Sequence, residues 1–151
     1  MTRDVALIVG GGPGISASCA RLFARSGMHV GIAARTPDKP VLQNLEKMHG
    51  VRRYACDASK PEAVALLFQD VVRDLGVPTL VVHNIDGRVA GIFRKGIIEA
   101  DPGMALETLR GSAFSAFLVG QQAARLMLEN EPSANGAKGT IVFTNASAAL
   151  K

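Results

Sequence analysis

Short, wholly apolar runs alternate along the chain with longer stretches whose apolar positions recur every three or four residues. Val5-Ala6-Leu7-Ile8-Val9 is apolar throughout, the pattern of a strand covered on both faces. Glycines fill 10–14. Residues 15–26 then carry Ile15, Cys19, Leu22 and Phe23 on one helical face, and Gly27 supplies the stop. A second strand is expected over 28–33 and a loop over 36–40. Val41, Leu42, Leu45 and Met48 predict a second helix, closed by Gly50. Residues 51–56 read as a third strand. Ser59 followed by Glu62 fits a capping box ahead of a helix bearing Val64, Leu67, Val71 and Leu75. Residues 79–83 predict a fourth strand, 84–103 an irregular stretch, and 104–129 one long helix, nearly all apolar from Ala113 to Val119. A polar loop over 131–139 precedes a fifth strand at 140–144.

Strand–helix alternation of this kind predicts an α/β fold: a doubly wound parallel sheet of the Rossmann-like type with helices on both faces. Right-handed crossovers leave few topologies, and five strands in the order 3-2-1-4-5 are expected, within a single domain spanning 1–151. Composition changes this little. With 48% hydrophobic and 20% charged residues, the 151-residue chain reads as ordinary globular protein. No apolar run reaches the length of a membrane span, and the start lacks a signal peptide's pattern, so a cytoplasmic protein is expected. The net charge of +4 is scattered and leaves no nucleic-acid footprint. Cys19 and Cys56 form no paired motif and are expected buried and reduced; with three dispersed histidines, no metal site is expected.

The glycine turn carries the first chemical signal. Val9-Gly10-Gly11-Gly12-Pro13-Gly14-Ile15-Ser16 follows a strand and opens a helix. Glycines there let the backbone turn tightly and approach a pyrophosphate, while the helix N-terminus offers free N–H groups and a positive dipole end. Two registers fit: Gly12-x-Gly14-x-x-Ala17, and Gly10-x-x-x-Gly14-Ile15-Ser16. No lysine lies in the turn, which excludes a P-loop. The end of the second strand bears on the nucleotide. An acidic side chain there would accept hydrogen bonds from a ribose and repel a 2′-phosphate; this chain has Ala34 and then Arg35, whose guanidinium can fork onto a phosphate. NADP(H) is therefore expected in preference to NAD(H). The same arginine argues against a methyltransferase, whose second strand usually ends in an acidic residue.

These residues resemble the short-chain dehydrogenase/reductase family. The turn is similar to its TGxxxGIG motif, with Val9 for Thr and Ser16 for the last Gly. Cys56-Asp57-Ala58-Ser59 resembles the family's Asp after the third strand, which contacts adenine; Asp57 also suits a turn or cap. Val81-Val82-His83-Asn84-Ile85-Asp86 lies where the family has its LVNNAG-like segment, and 139–144 resembles the strand leading to the catalytic Ser. The resemblance implies cofactor contacts at Gly10, Gly12, Gly14, Ile15, Arg35, Asp57, Ala58, His83 and Asn84.

The family's chemistry uses a Tyr as general acid/base and a Lys four residues on, with a Ser orienting the carbonyl. The only tyrosine here is Tyr54, and Ala58 follows it at that spacing. Ungapped matching puts Ala146 at the serine position with Ser147 next to it, and Ser112 at the place of the family's Asn on the long helix. The resemblance spans about three-fifths of the family's usual fold. A shortened oxidoreductase acting on a carbonyl or alcohol, inactive as this chain, is expected; the alternative is a non-catalytic dinucleotide-binding module that senses the nucleotide or partners a full-length relative. Bare apolar surface on the fifth strand and on Ala113-Phe114-Ala116-Phe117 predicts a homo-oligomer through the long helix, 104–129.

Overall fold

The computed structural model describes residues 4–94 and 96–146, the side chain of Phe93 excepted. Five parallel strands form one sheet: β1 (Val5–Val9), β2 (His29–Ala34), β3 (Val51–Ala55), β4 (Leu80–His83) and β5 (Thr140–Phe143). Their order is β3-β2-β1-β4-β5, as the alternation predicts. In register, Val5 faces His29 across one flank of β1, and Ala6 faces Leu80 across the other. Helices α1 (Ile15–Arg25) and α2 (Pro40–Glu46) follow the first two strands, and α3 (Pro61–Asp74) follows the third. After β4 come two single-turn 3-10 segments, Ile92–Arg94 and Ile97–Glu99. Next are α4 (Pro102–Leu109), a π-helical segment (Arg110–Phe114) and α5 (Ser115–Met127).

Side-chain alternation divides the core in two. Val5, Leu7 and Val9 point to one face, where they meet Val64, Leu67 and Val71 of α3 and Leu118, Val119 and Ala123 of α5. Ala6 and Ile8 point to the other, against Ala17 and Ala20 of α1 and Leu42 and Leu45 of α2. Every residue of β1 is buried, because helices cover both faces of a central parallel strand.

Several local expectations are corrected. Ile15 and Leu22 are 56% and 60% exposed, while the buried side of α1 is Ser16, Ala17 and Ala20, flanked by half-buried Cys19 and Phe23. Small side chains let the helix lie close to the sheet beside the glycine turn, which rotates the larger residues outward. The capping box does not form: Lys60 is the N-cap of α3 and no side chain caps the helix. Pro61 occupies the first turn, and Asp57 takes both the Ser59 hydroxyl (2.7 Å) and the Ser59 N–H (3.2 Å). This Asx turn competes for the serine that would have capped. The single long helix begins instead at Pro102, with the Asp101 carboxylate accepting from the Met104 N–H at 2.9 Å, and is interrupted at 110–114.

The interruption coincides with a close approach of another segment. Gly87, in the loop after β4, packs directly on the helix backbone at Gly111. A Cβ on Gly87 would lie 2.3 Å from the Gly111 carbonyl carbon and 2.3 Å from the Ser112 nitrogen. Cys19 is half-buried rather than buried, and both cysteines are free thiols. Among the described residues, no helix is long and apolar enough to cross a membrane, and no group of three or more His, Cys, Asp or Glu side chains is placed to hold a metal ion.

Candidate functional site: a cleft at the carboxyl ends of the strands

A cleft of about 870 Å³ opens over the carboxyl ends of β1, β2, β3 and β4. This is where an open α/β sheet presents its loops, and β1 and β4 flank the point at which strand order reverses. The turn after β1 forms one wall. Gly10 and Gly11 both donate their N–H to the Ala33 carbonyl, at 2.9 and 2.8 Å, so the turn is pinned to the end of β2.

The glycines divide into two kinds. Gly10 has φ +109°, and a Cβ there would sit 2.0 Å from the Asn84 carbonyl oxygen. Its lack of a side chain is required by the protein's own packing. Gly12 and Gly14 do not have a positive φ, and a Cβ on either would meet nothing within 4 Å. No neighbouring atom occupies the space a side chain would take at either, so their open faces are free for an external group. Next to them, α1 has no side-chain cap and no acidic residue in its first turn. Free N–H groups at an uncapped helix start, with unobstructed glycine backbone beside them, suit a pyrophosphate.

Across the cleft, Arg35 is exposed at its rim, with Thr36 and Lys39 close by. Arg35 has no hydrogen bond or ion pair among the described residues, in contrast with Arg52, Arg53, Arg73 and Arg88, each held by a carboxylate. Lys39 extends its ammonium to the Gly11 carbonyl at 3.4 Å. Lys39 belongs to no motif in the sequence, where its one signal is being a second cation four residues past Arg35. Asp57 and Ala58 line the next part of the wall. The two donors from Ser59, with Arg35 and Lys60 nearby, hold the Asp57 carboxyl below its usual range.

Other predicted residues are placed differently. Asn84 lines the cleft, but its side chain is engaged within the fold: its amide nitrogen donates to the Ser16 hydroxyl at 2.7 Å, and its oxygen accepts from the Thr144 hydroxyl at 2.9 Å. The His83 side chain is buried away from the cleft, with Nε2 2.9 Å from Ser115 Oγ and its ring 6.0 Å from that of Phe143. Ser115 has one hydrogen, directed at the Gly111 carbonyl (2.7 Å) and the Ser112 carbonyl (2.9 Å), so His83 Nε2 is the donor to it. Burial holds the His83 imidazole below its ordinary range. Ser112 lies in the π segment and donates to the Thr108 carbonyl. Tyr54 is in the core on β3, its hydroxyl 3.3 Å from Asp74, and burial pushes its pKa up to about 12. Ser147 lies outside the described residues.

A parallel sheet reversing at β1/β4, with a glycine turn open toward a cleft, defines the class of nucleotide-binding doubly wound proteins. Within that class, a family profile described as enoyl-(acyl carrier protein) reductase matches residues 10–151. The chain belongs to the short-chain dehydrogenase/reductase family, whose members bind a nicotinamide dinucleotide. It is 34% identical over 91 residues to an uncharacterized oxidoreductase of Mycobacterium bovis, a match covering 53% of this chain and 25% of that protein. It is 36% identical over 86 residues to another from Mycobacterium tuberculosis, covering 55% of this chain and 33% of that one. Among solved structures, it superposes on an F189W actinorhodin polyketide ketoreductase with NADPH at a TM-score of 0.83 and 22% identity, over 99% of this chain and 55% of that one. A short-chain dehydrogenase/reductase from Serratia marcescens gives a TM-score of 0.80 at 21% identity, over 99% and 58%. The chain thus spans little more than half the length of these structures.

Proposed function

We propose that the chain is the dinucleotide-binding portion of an oxidoreductase, that it takes NADP(H) in preference to NAD(H), and that these 151 residues by themselves do not reduce a carbonyl. The observation that carries the preference is Arg35, an exposed guanidinium on the cleft rim with no hydrogen bond or ion pair among the described residues and the Asp57 carboxylate nearby. A 2′-phosphate would give it a charge-assisted, forked contact, with Lys39 as a neighbouring cation. Gly12, Gly14 and the start of α1 at Ile15 would hold the pyrophosphate, and Asp57 and Ala58 would border the adenine. When bound, the nicotinamide supplies or accepts a hydride. The residues described here bind and orient the nucleotide; Tyr54, buried and hydrogen-bonded to Asp74, is not placed to exchange a proton in the cleft.

The same arrangement supports a second reading, a binding module without catalysis, because the binding turn is complete while the lone tyrosine is committed to the core. Calorimetry on the 151-residue chain tests both readings. NADPH is expected to bind more tightly than NADH. Arg35→Asp is expected to weaken NADPH by about 10- to 100-fold while changing NADH far less. Equal losses for the two nucleotides would remove the phosphate assignment, and NADPH-dependent turnover of a carbonyl substrate would remove the claim of inactivity. We propose in addition that two copies associate through the long helix.

A further inference from the structure

The serine that stands where the family's motif ends in glycine is fully buried and uses both of its hydrogen-bonding capacities. Its hydroxyl lies 2.7 Å from the Gly10 carbonyl, which can only accept, so Ser16 donates there. Having one hydrogen, Ser16 must then accept from Asn84 Nδ2, also at 2.7 Å. That fixes the amide's orientation and leaves Asn84 Oδ1 to accept from the Thr144 hydroxyl at 2.9 Å. The shorter of the two contacts of the Thr144 hydroxyl, which also lies 3.3 Å from the His83 carbonyl, thus starts a chain of bonds with a single direction, from Thr144 through Asn84 and Ser16 to Gly10. Bonds aligned in this way polarise one another. The chain starts just past the end of β5 and finishes at the one glycine of the turn that packs against Asn84.

We propose that Ser16 is a positioning residue: through Asn84 and Thr144 it makes the shape of the dinucleotide-binding turn depend on the carboxyl ends of β4 and β5, so that nucleotide on the turn and order at the end of β5 favour each other. This inference rests on the dinucleotide reading above. With glycine or alanine at this position, Asn84 Nδ2 would lose its acceptor and the Gly10 carbonyl its side-chain donor, and the turn would be held to β4 only by backbone contact. Thr144 is not part of the cleft wall, and its side chain reaches that wall through Asn84; its N–H and hydroxyl also contact the His83 carbonyl, so the double-mutant cycle with Ser16 is what isolates this chain.

The test is a double-mutant cycle on the 151-residue chain, with Kd for NADPH from calorimetry and amide exchange at Thr144, whose N–H donates to the His83 carbonyl at 3.1 Å. Thr144→Val keeps the shape and removes the hydroxyl; it is expected to weaken NADPH about 3- to 10-fold. Ser16→Ala should weaken it at least as much, and the double variant should be no weaker than Ser16→Ala alone. Thr144→Ser, which retains the hydroxyl, should bind within about twofold of the unaltered chain. A residue with a merely structural role would lower the melting temperature and leave Kd unchanged.

If Thr144→Val binds NADPH as the unaltered chain does, or if the two losses multiply, the coupling is overturned while the dinucleotide reading stands. If the unaltered chain binds neither NADPH nor NADH, both fall. Should Thr144→Val fail to fold, Ser16→Gly carries the test: NADPH-induced protection of the Thr144 amide is expected to vanish, and its retention would overturn the proposal.

Discussion

At the scale of single residues, the two kinds of glycine in one turn give opposite expectations. Gly10→Ala would drive a methyl to 2.0 Å from the Asn84 carbonyl oxygen at a positive φ, and should destabilise the fold by about 3 kcal/mol or more. Gly12→Ala meets nothing within 4 Å, so it should change stability by less than about 1 kcal/mol while weakening NADPH about tenfold or more, because the methyl occupies the space a pyrophosphate needs. Urea melts and calorimetry on the two variants separate a glycine kept for folding from one kept for a ligand.

His83 gives a pH-dependent case. Its imidazole is buried and titrates below its usual value, whereas in the unfolded chain it takes up a proton near pH 6.5. Between those two values the unfolded state binds more protons, so stability rises with pH across that window. It is intact above about pH 6.5, falls as the pH drops through that value, and the loss is complete below the folded-state pKa. Urea unfolding at pH 5 and pH 7.5 should show the difference, and His83→Gln, which keeps a donor for Ser115, should flatten it. The paired carboxylates Asp57, Asp74 and Asp86, all held low, act further into the acid range.

At the scale of elements, what the sequence made legible and what it concealed have physical reasons. The strands were readable because a central parallel strand is apolar on both faces, and β1 and β4 are nearly unbroken runs of Val, Leu and Ile. The exposure of Ile15 and Leu22 was not, since periodicity gives the face of a helix but not how closely its small residues let it approach the sheet. Ser59 satisfied a local capping pattern that a nearer carboxylate overrode. In the site, Arg35 and the glycine turn were visible from their places after strands, whereas Ser16, Asn84 and Thr144 converge from three elements and share no sequence spacing.

The π segment belongs here too, because Gly87 and Gly111 bring a loop and a helix backbone together with no side chain between them. Gly87→Ala has backbone on the opposing side and nothing flexible to displace. It should destabilise the fold by about 2–3 kcal/mol, and thermal denaturation would register it.

At the scale of the molecule, the outer side of the sheet at β5 is sparsely covered. Phe117 is 57% exposed and Phe143 is 49% exposed, and both line a second, apolar concavity of about 580 Å³ between α5 and β5. Phe114 stacks on Phe117 with ring centroids 6.3 Å apart, which continues the apolar surface along the helix. Apolar area of this kind beside an open strand edge favours association. The expected outcome is a concentration-dependent dimer in light scattering, shifted to monomer by Phe117→Glu with no loss of thermal stability. A monomer at all concentrations would count against association through this helix.

The strand order has a consequence for synthesis. β1 comes before the other four strands and lies in the middle of the sheet, with β2 on one flank and β4 on the other. As the polypeptide leaves the ribosome, the β1–α1–β2–α2–β3 half can pair and cover one flank of β1 early. The other flank, from Ala6 to Val9, waits until residues 80–83 emerge. Until then a strand destined for complete burial shows one open edge. An unpaired edge and uncovered apolar surface of this kind are what make a nascent chain prone to aggregate, so this interval is one that a chaperone would protect.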